Sequence, residues 1–475
     1  MYSISALNNN YNLYMPKINT ASGVNSVGNS LATNPVASSG AAFVKNTHKA
    51  VPSFGVNQIR TSLTTRDEHN KYNEISSIID KKTRKDLQEI LKTGKLLDTN
   101  SNDGSSTLDN LYNIATKTRA TGLDKKNILE ETIKAIKHPF IITQKFGDIP
   151  QNLQAEVINT EISQGRNISA MDLDVKSSTC PAASIEFDLA RKLPAEFARM
   201  TEGLTSDKLS VTKKIKVDDL SHGLIDTVWM LNEFGTDHKL EDWKTLSVTL
   251  KPDRNAIIRA RIQNSYKDPD ERSLVDVLLQ STFMNIGAQN TYDSLVDKRI
   301  PKYNEDDSGL IDIEKNFVEE IVTGKGKVCV TYQKIDDNGK LIGYECDQSE
   351  TLSHIQNTLN QGHNVIIGYT YCDSDNNVIG GHEITIIGIE TDKKGQKYFI
   401  CNDTDDGIPE PIKYSVDELL PKIHHAGIPK EVLVDNVEFV EGWKELLQIY
   451  KETKNQKEIQ TAIQTNPLTV INQAA

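Results

Sequence analysis

Cys180, His382 and the adjacent pair Asn402 and Asp403 are the side chains whose types and order could carry nucleophilic chemistry. Cys180 stands in Ser178-Thr179-Cys180-Pro181-Ala182-Ala183-Ser184-Ile185, just before a proline and a run of helix formers. Proline is favoured in the first turn of a helix, where its missing N–H would be unpaired anyway. The spacing predicts a helix that opens at Cys180 and runs to about Leu193. Such an end gathers unpaired N–H groups and a partial positive charge, which favours the thiolate, the nucleophilic form of cysteine.

A base and an orienting group lie downstream. Gly380-Gly381-His382-Glu383-Ile384-Thr385-Ile386-Ile387-Gly388 puts a histidine at the mouth of an apolar strand. A turn, Asp392-Lys393-Lys394-Gly395, leads to a return strand, Lys397-Tyr398-Phe399-Ile400-Cys401-Asn402-Asp403. A hairpin centred between Lys393 and Lys394 sets Ile384 opposite Asp403. Side chains alternate faces along a strand, so Asp403 then shares the face of His382 and Asn402 points away. A bulge or an odd loop length exchanges those two roles. Either way a histidine meets a carboxylate or an amide on a neighbouring strand, the base-plus-orienter arrangement that activates a nucleophile.

The order Cys, His, Asn/Asp resembles the papain-like cysteine peptidase superfamily. The Cys-Pro-Ala-Ala string and the Gly-His…Gly and Ile-Cys-Asn-Asp blocks are similar to its bacterial branches, among them the double-glycine leader peptidases fused to export transporters. The resemblance covers roughly residues 150 to 430. It implies an α+β fold in which the cysteine-bearing helix packs on an antiparallel β-barrel lobe that supplies the histidine and its partner. It also implies a glutamine about six residues before the cysteine, donating to the oxyanion. Asp174 stands there instead, with Gln164, Asn167 and Ser178 as the nearest substitute donors. The reaction implied is hydrolysis of a peptide or isopeptide bond in a peptide or protein substrate. The same residues leave two alternatives, transglutaminase-like acyl transfer to an amine and a catalytically silent papain-like binding protein.

Composition narrows the rest. The chain has 475 residues, room for two or three domains, and 54 basic against 66 acidic residues for a net charge of −12. No basic stripe alternates with aromatics, which argues against nucleic acid as a partner. No apolar run reaches the ~18 residues of a membrane span. Five cysteines (180, 329, 346, 372 and 401) do not form a disulfide framework in a chain this long. No CxxC pair and no cysteine–histidine cluster has zinc spacing, so neither metal nor cofactor is expected. His382-Glu383 does not begin HExxH, because Ile386 occupies the second histidine position. Asp373-Ser374-Asp375-Asn376-Asn377 lacks the later glycine and glutamate of a calcium loop and reads as a turn.

The positioning elements follow from periodicity. Residues 1–60 contain no acidic side chain, are rich in Asn, Ser, Ala and Gly, and read as a disordered leader. They have no basic segment leading into an apolar one, so no Sec signal is expected, and the location is cytoplasmic or reached by a non-Sec export route. Residues 61–145 carry helical spacing and read as a small helical region. The resemblance implies that residues 146–430 form the papain-like catalytic domain, with an insertion at about 205–300 that holds a helix over Leu274 to Ile286. From Lys327 the texture is β, with strands at Val328–Tyr332, Leu341–Tyr344, Asn364–Tyr371, His382–Glu390 and Lys397–Asn402. Val416 to Ile423 reads as a closing helix, and residues 431–475 as a C-terminal helix (Trp443 to Lys451) with a loose tail.

Overall fold

The computed structural model describes residues 59–216, 245–299, 309–429 and 432, apart from positions 148, 167, 169–172, 174–176, 269, 289–290 and 406. The leader through residue 58, Asn167, Asp174 and the C-terminal helix expected at Trp443 to Lys451 therefore lie outside the described residues.

The described chain is α+β. Helices α1 (Arg66–Ile78), α2 (Lys81–Lys92), α3 (Thr107–Thr116) and α4 (Lys125–Lys137) come first, followed by α5 (Gln151–Ser163), α6 (Cys180–Lys192) and α7 (Pro194–Leu204). Side-chain caps set several starts: Thr65 with Glu68 and Ser106 with Asp109 form capping boxes, while Asp80 and Asp124 accept single N–H bonds. A two-stranded ribbon, β1 (Val211–Lys216) with β2 (Thr245–Leu250), leads to α8 (Ala256–Ser265) and α9 (Leu274–Gly287). Two short strands, β3 (Tyr292–Asp293) and β4 (Lys298–Arg299), precede α10 (Asp312–Thr323). The β part then holds β5 (Lys327–Thr331), β6 (Gln333–Ile335), β7 (Leu341–Tyr344), helix α11 (Gln348–Asn360), β8 (Val365–Cys372), β9 (Val378–Thr391), β10 (Lys397–Asn402), β11 (Ile412–Ser415) and β12 (Ile423–Pro429).

The principal sheet has six strands in the order β11-β10-β9-β8-β12-β5, all neighbours antiparallel. Among the described residues it does not close into a barrel, which corrects the expected barrel lobe. The segment expected to be a closing helix is helical only over Val416–Leu419. Pro421 lies in a single 3₁₀ turn, and Ile423–Pro429 becomes a strand inserted between β8 and β5. Because six of its seven residues are buried, β12 shows none of the polar alternation that marks a half-exposed strand.

The sheet separates two cores. Ile366 faces a large cluster built from the N-terminal helices together with α6, α7, α9 and α10. Val365, Ile367, Tyr369, Ile384 and Phe399 face a smaller one with Ile355 of α11 and Leu419. The helical region before residue 145 shares its core with the cysteine-bearing helix, and so does α9, which falls within the stretch expected to be an insertion. No helix among the described residues is long and apolar enough to cross a membrane.

Candidate active site

Cys180 is the first residue of α6, with Pro181 in the first turn. The helix is more deeply set than its stripe of Ala182, Ile185 and Leu189 implies: every residue from Pro181 to Ala190 is buried, including Ser184, Glu186 and Asp188. The helix start is held by a buried cation. Arg272 donates to the carbonyl of Gln144 at 2.7 Å and to Ser177 Oγ at 2.6 Å, and also to Thr179 Oγ1. Its guanidinium forms a two-pronged ion pair with Asp297 at 2.9 and 3.2 Å, and Tyr292 donates to the same carboxylate. Thr179 Oγ1 in turn donates to Gln280 at 3.2 Å. The residues before the nucleophile are thus fixed by side chains from distant parts of the chain.

His382 and Asp403 meet on the sheet. His382 Nε2 is 2.8 Å from Asp403 Oδ1. The other carboxylate oxygen accepts from Tyr414 Oη at 2.7 Å, and the backbone N–H of Asp405 donates to Oδ1 at 3.0 Å. The register that produces this contact has two compensating irregularities. Near the turn the ladder is centred on Lys394, pairing Lys397 with Thr391, and a shift between Ile400 and Cys401 then pairs Asn402 with Thr385. The odd loop and the bulge cancel, leaving Asp403 on the face of His382. Asn402 is buried on the other face, where neither its Nδ2 nor the Oγ1 of Thr385 opposite has a hydrogen-bond partner.

The ring has a second neighbour, the Cys180 thiol, whose interaction with it favours the charged imidazole. Burial disfavours the charged ring, but the interactions with Asp403 and Cys180 outweigh it and lift the pKa of His382 to about 11. Burial would likewise raise the Asp403 carboxyl, yet the imidazolium and the Tyr414 hydroxyl hold it below its ordinary value. Tyr369 packs edge-on against the His382 ring at 5.8 Å. A cavity of about 430 Å³ opens beside the imidazole, lined by Tyr369, Tyr371, Tyr414, Asp403 and Lys422 among others, on a side where Cys180 takes no part.

Segment 143–144 ties the two halves together. The Thr404 carbonyl, next to Asp403, accepts from the Gln144 N–H and from Thr143 Oγ1, both at 3.0 Å. The carbonyls of Thr143 and Gln144 accept from Gln280 and Arg272, the side chains that hold Thr179. Sequence reasoning missed this connection because its members lie more than a hundred residues apart, and neither Arg272 nor Gln280 belongs to a motif.

Two of the expected oxyanion donors are engaged elsewhere. The Gln164 side chain exchanges hydrogen bonds with Asn255 at 2.8 and 3.1 Å, and Ser178 Oγ donates to the Asp297 carbonyl at 3.2 Å. Among the described residues, the Cys180 N–H stands at the first helical position and has no intrahelical acceptor.

Beneath Cys180, the buried carboxyls of Glu186 and Asp276 interact with each other, and Gln280 Nε2 donates to Glu186 Oε2 at 2.9 Å. Burial, then the Asp276 charge, pushes Glu186 well above its ordinary 4.5, so it keeps the shared proton. An acid raised in the folded state adds stability below its unfolded pKa, and that stability is lost as pH rises through the folded value. Glu186→Gln keeps the hydrogen bonds and carries no ionisation cost. It should flatten the fall in melting temperature as pH rises above the ordinary carboxylate range, and stabilise the protein by about 1 kcal/mol or more at alkaline pH. Parallel melting curves for variant and wild type would show that the pair holds no such proton.

Comparison with family models, with curated proteins and with solved structures gives no match to this chain.

Proposed function

We propose that this chain is a papain-like cysteine hydrolase that cleaves a peptide or isopeptide bond. The observation that carries this reading is the imidazole of His382 set between the Cys180 thiol and the Asp403 carboxylate. The Cys180 sulfur attacks the carbonyl carbon, forming a C–S bond and an oxyanion that accepts from the Cys180 N–H. Collapse of the oxyanion breaks the C–N bond, and His382 delivers its proton to the departing amine. The neutral ring then takes a proton from water, whose oxygen attacks the thioester, releases the acid and restores the thiol. Asp403 supports the imidazolium throughout, and Tyr414 and Asp405 hold Asp403 in place. A cysteine at the start of a buried helix, with its base and orienter on adjacent antiparallel strands, is the layout the family resemblance implies. The sheet serves that layout without closing.

The test is covalent capture. A peptidyl acyloxymethyl ketone, which alkylates an activated cysteine, should label the folded full-length protein at Cys180 alone and leave Cys180→Ala unmodified. Peptide mapping by mass spectrometry reads the site. Equal labelling of Cys329, Cys346 or Cys372 would remove this reading.

A further inference from the structure

Glu383 follows His382 on β9 and so points to the opposite face of the sheet, where a second group of donor atoms converges from three elements. His424 and His425 are consecutive on β12, and in a regular strand their side chains would diverge. The register of β12 against β8 shifts between Ile423 and His425. The two rings then stand edge to face with their Nδ1 atoms 2.9 Å apart. Asp312, in the first turn of α10, completes a set whose ligand atoms all lie within 4.8 Å of one another.

Two independent features point to an ion at this set. The outer nitrogen of His425, Nε2, is 3.3 Å from Oε1 of Glu383, whose other oxygen is buried without a hydrogen-bond partner. A carboxylate on the far nitrogen is the usual way a protein orients a metal-binding histidine and raises its basicity. Gly368 leaves the ring its room: a Cβ at that position would lie 2.2 Å from His425 Cε1. Two imidazole nitrogens 2.9 Å apart also match positions about 90° from each other around a six-coordinate ion with bonds of about 2.1 Å. The buried Lys315 ammonium, one turn along α10, acts on Glu383 and offsets its charge, leaving Asp312 as the anionic ligand. The cluster is partly accessible, since Asp312 and His424 are only half-buried.

We infer that Asp312, His424 and His425 bind one divalent transition-metal ion, with Glu383 orienting His425 from outside the coordination sphere. Two imidazoles and one carboxylate suit zinc, cobalt or ferrous iron and leave coordination positions open. The ligands come from residues 312 and 424–425, so no spacing in the sequence marks them.

The experiment uses full-length Cys180→Ala protein, stripped with a chelator, so that the cysteine–histidine pair of the proposed active site cannot supply the binding. Added Co²⁺ should give visible ligand-field bands at one ion per chain, and Zn²⁺ should displace them and raise the melting temperature. His424→Ala and Asp312→Asn should each abolish the bands. The isosteric Glu383→Gln should retain them with about 10–100-fold weaker affinity. A stripped protein whose cobalt spectrum matches buffer, or a folded His424→Ala variant that binds as tightly as its parent, overturns the assignment. The contact between the two rings is then a single N–H···N hydrogen bond. Because the nucleophile is absent throughout, this outcome is separate from that of the hydrolase reading.

Discussion

His382→Asn should slow acylation of Cys180 by about 10⁴-fold, the scale on which disabling a single member of a nucleophile–base–orienter triad acts. Asparagine can neither hold the proton that the departing amine needs nor offer Cys180 a positive partner. Asp403 keeps its bonds from Tyr414 and Asp405 in that variant, so the fold should survive and the loss should appear in chemistry. Single-turnover release of an amine leaving group, measured against pH, checks both the size and the cause. In wild type the charged ring persists far above neutrality, because the folded pKa of His382 is about 11. The alkaline limb of the acylation rate should therefore lie close to that value. Asp403→Ala removes the carboxylate hydrogen bond that favours the charged ring, and the limb should move down toward neutral pH. A loss below about 10-fold in His382→Asn would show that another group moves the proton, since general acid–base catalysis by a placed side chain contributes about 10²–10⁴.

The sequence carries these residues because each sits in a local pattern. Cys180 precedes a proline that opens a helix, and His382 and Asp403 flank a turn of Asp, Lys and Gly residues. The face shared by His382 and Asp403 is less secure from sequence, since it depends on an odd loop and a bulge that cancel, and only the second is invisible in the residues. Elements with buried polar faces were harder to read. Helix α10 buries Lys315, Asn316, Glu319 and Glu320 completely beside its apolar stripe of Phe317, Val318, Ile321 and Val322, so its polar positions do not mark a solvent face. Strand β12 has the converse problem, being buried on both faces and carrying two adjacent histidines. The barrel expectation failed for a related reason. Closure depends on which strands end up at the edges, and the insertion of β12 between β8 and β5 is a long-range choice that hairpin signals do not encode. Long range also hides Arg272, whose role rests on residues 144, 177, 179 and 297.

Arg272→Met should cost the protein about 3–5 kcal/mol, because it strands the buried Asp297 carboxylate without its cation. Asp297 keeps the Tyr292 hydroxyl but has no other positive partner within ion-pair distance among the described residues. Its backbone lies in the left-handed region at φ 49°, where an aspartate is tolerated but not favoured, so this loop has little reserve. The same substitution releases Thr179, Ser177 and the Gln144 carbonyl, which together fix the approach to Cys180. Stability and positioning can be separated with a second variant. Arg272→Met combined with Asp297→Asn removes both charges, and should recover much of the lost melting temperature because no buried ion is left unpaired. Its rate of alkylation at Cys180 should stay about 10-fold or more below wild type, since misplacement of a catalytic group by an ångström costs up to ~10² in rate. Arg272→Lys should fall between them: an ammonium can neutralise Asp297 but lacks the planar fork that reaches the Gln144 carbonyl and both hydroxyls at once. Alkylation by the double variant at the wild-type rate, measured well below its melting temperature, would show that the Arg272 network stabilises the fold without positioning the nucleophile.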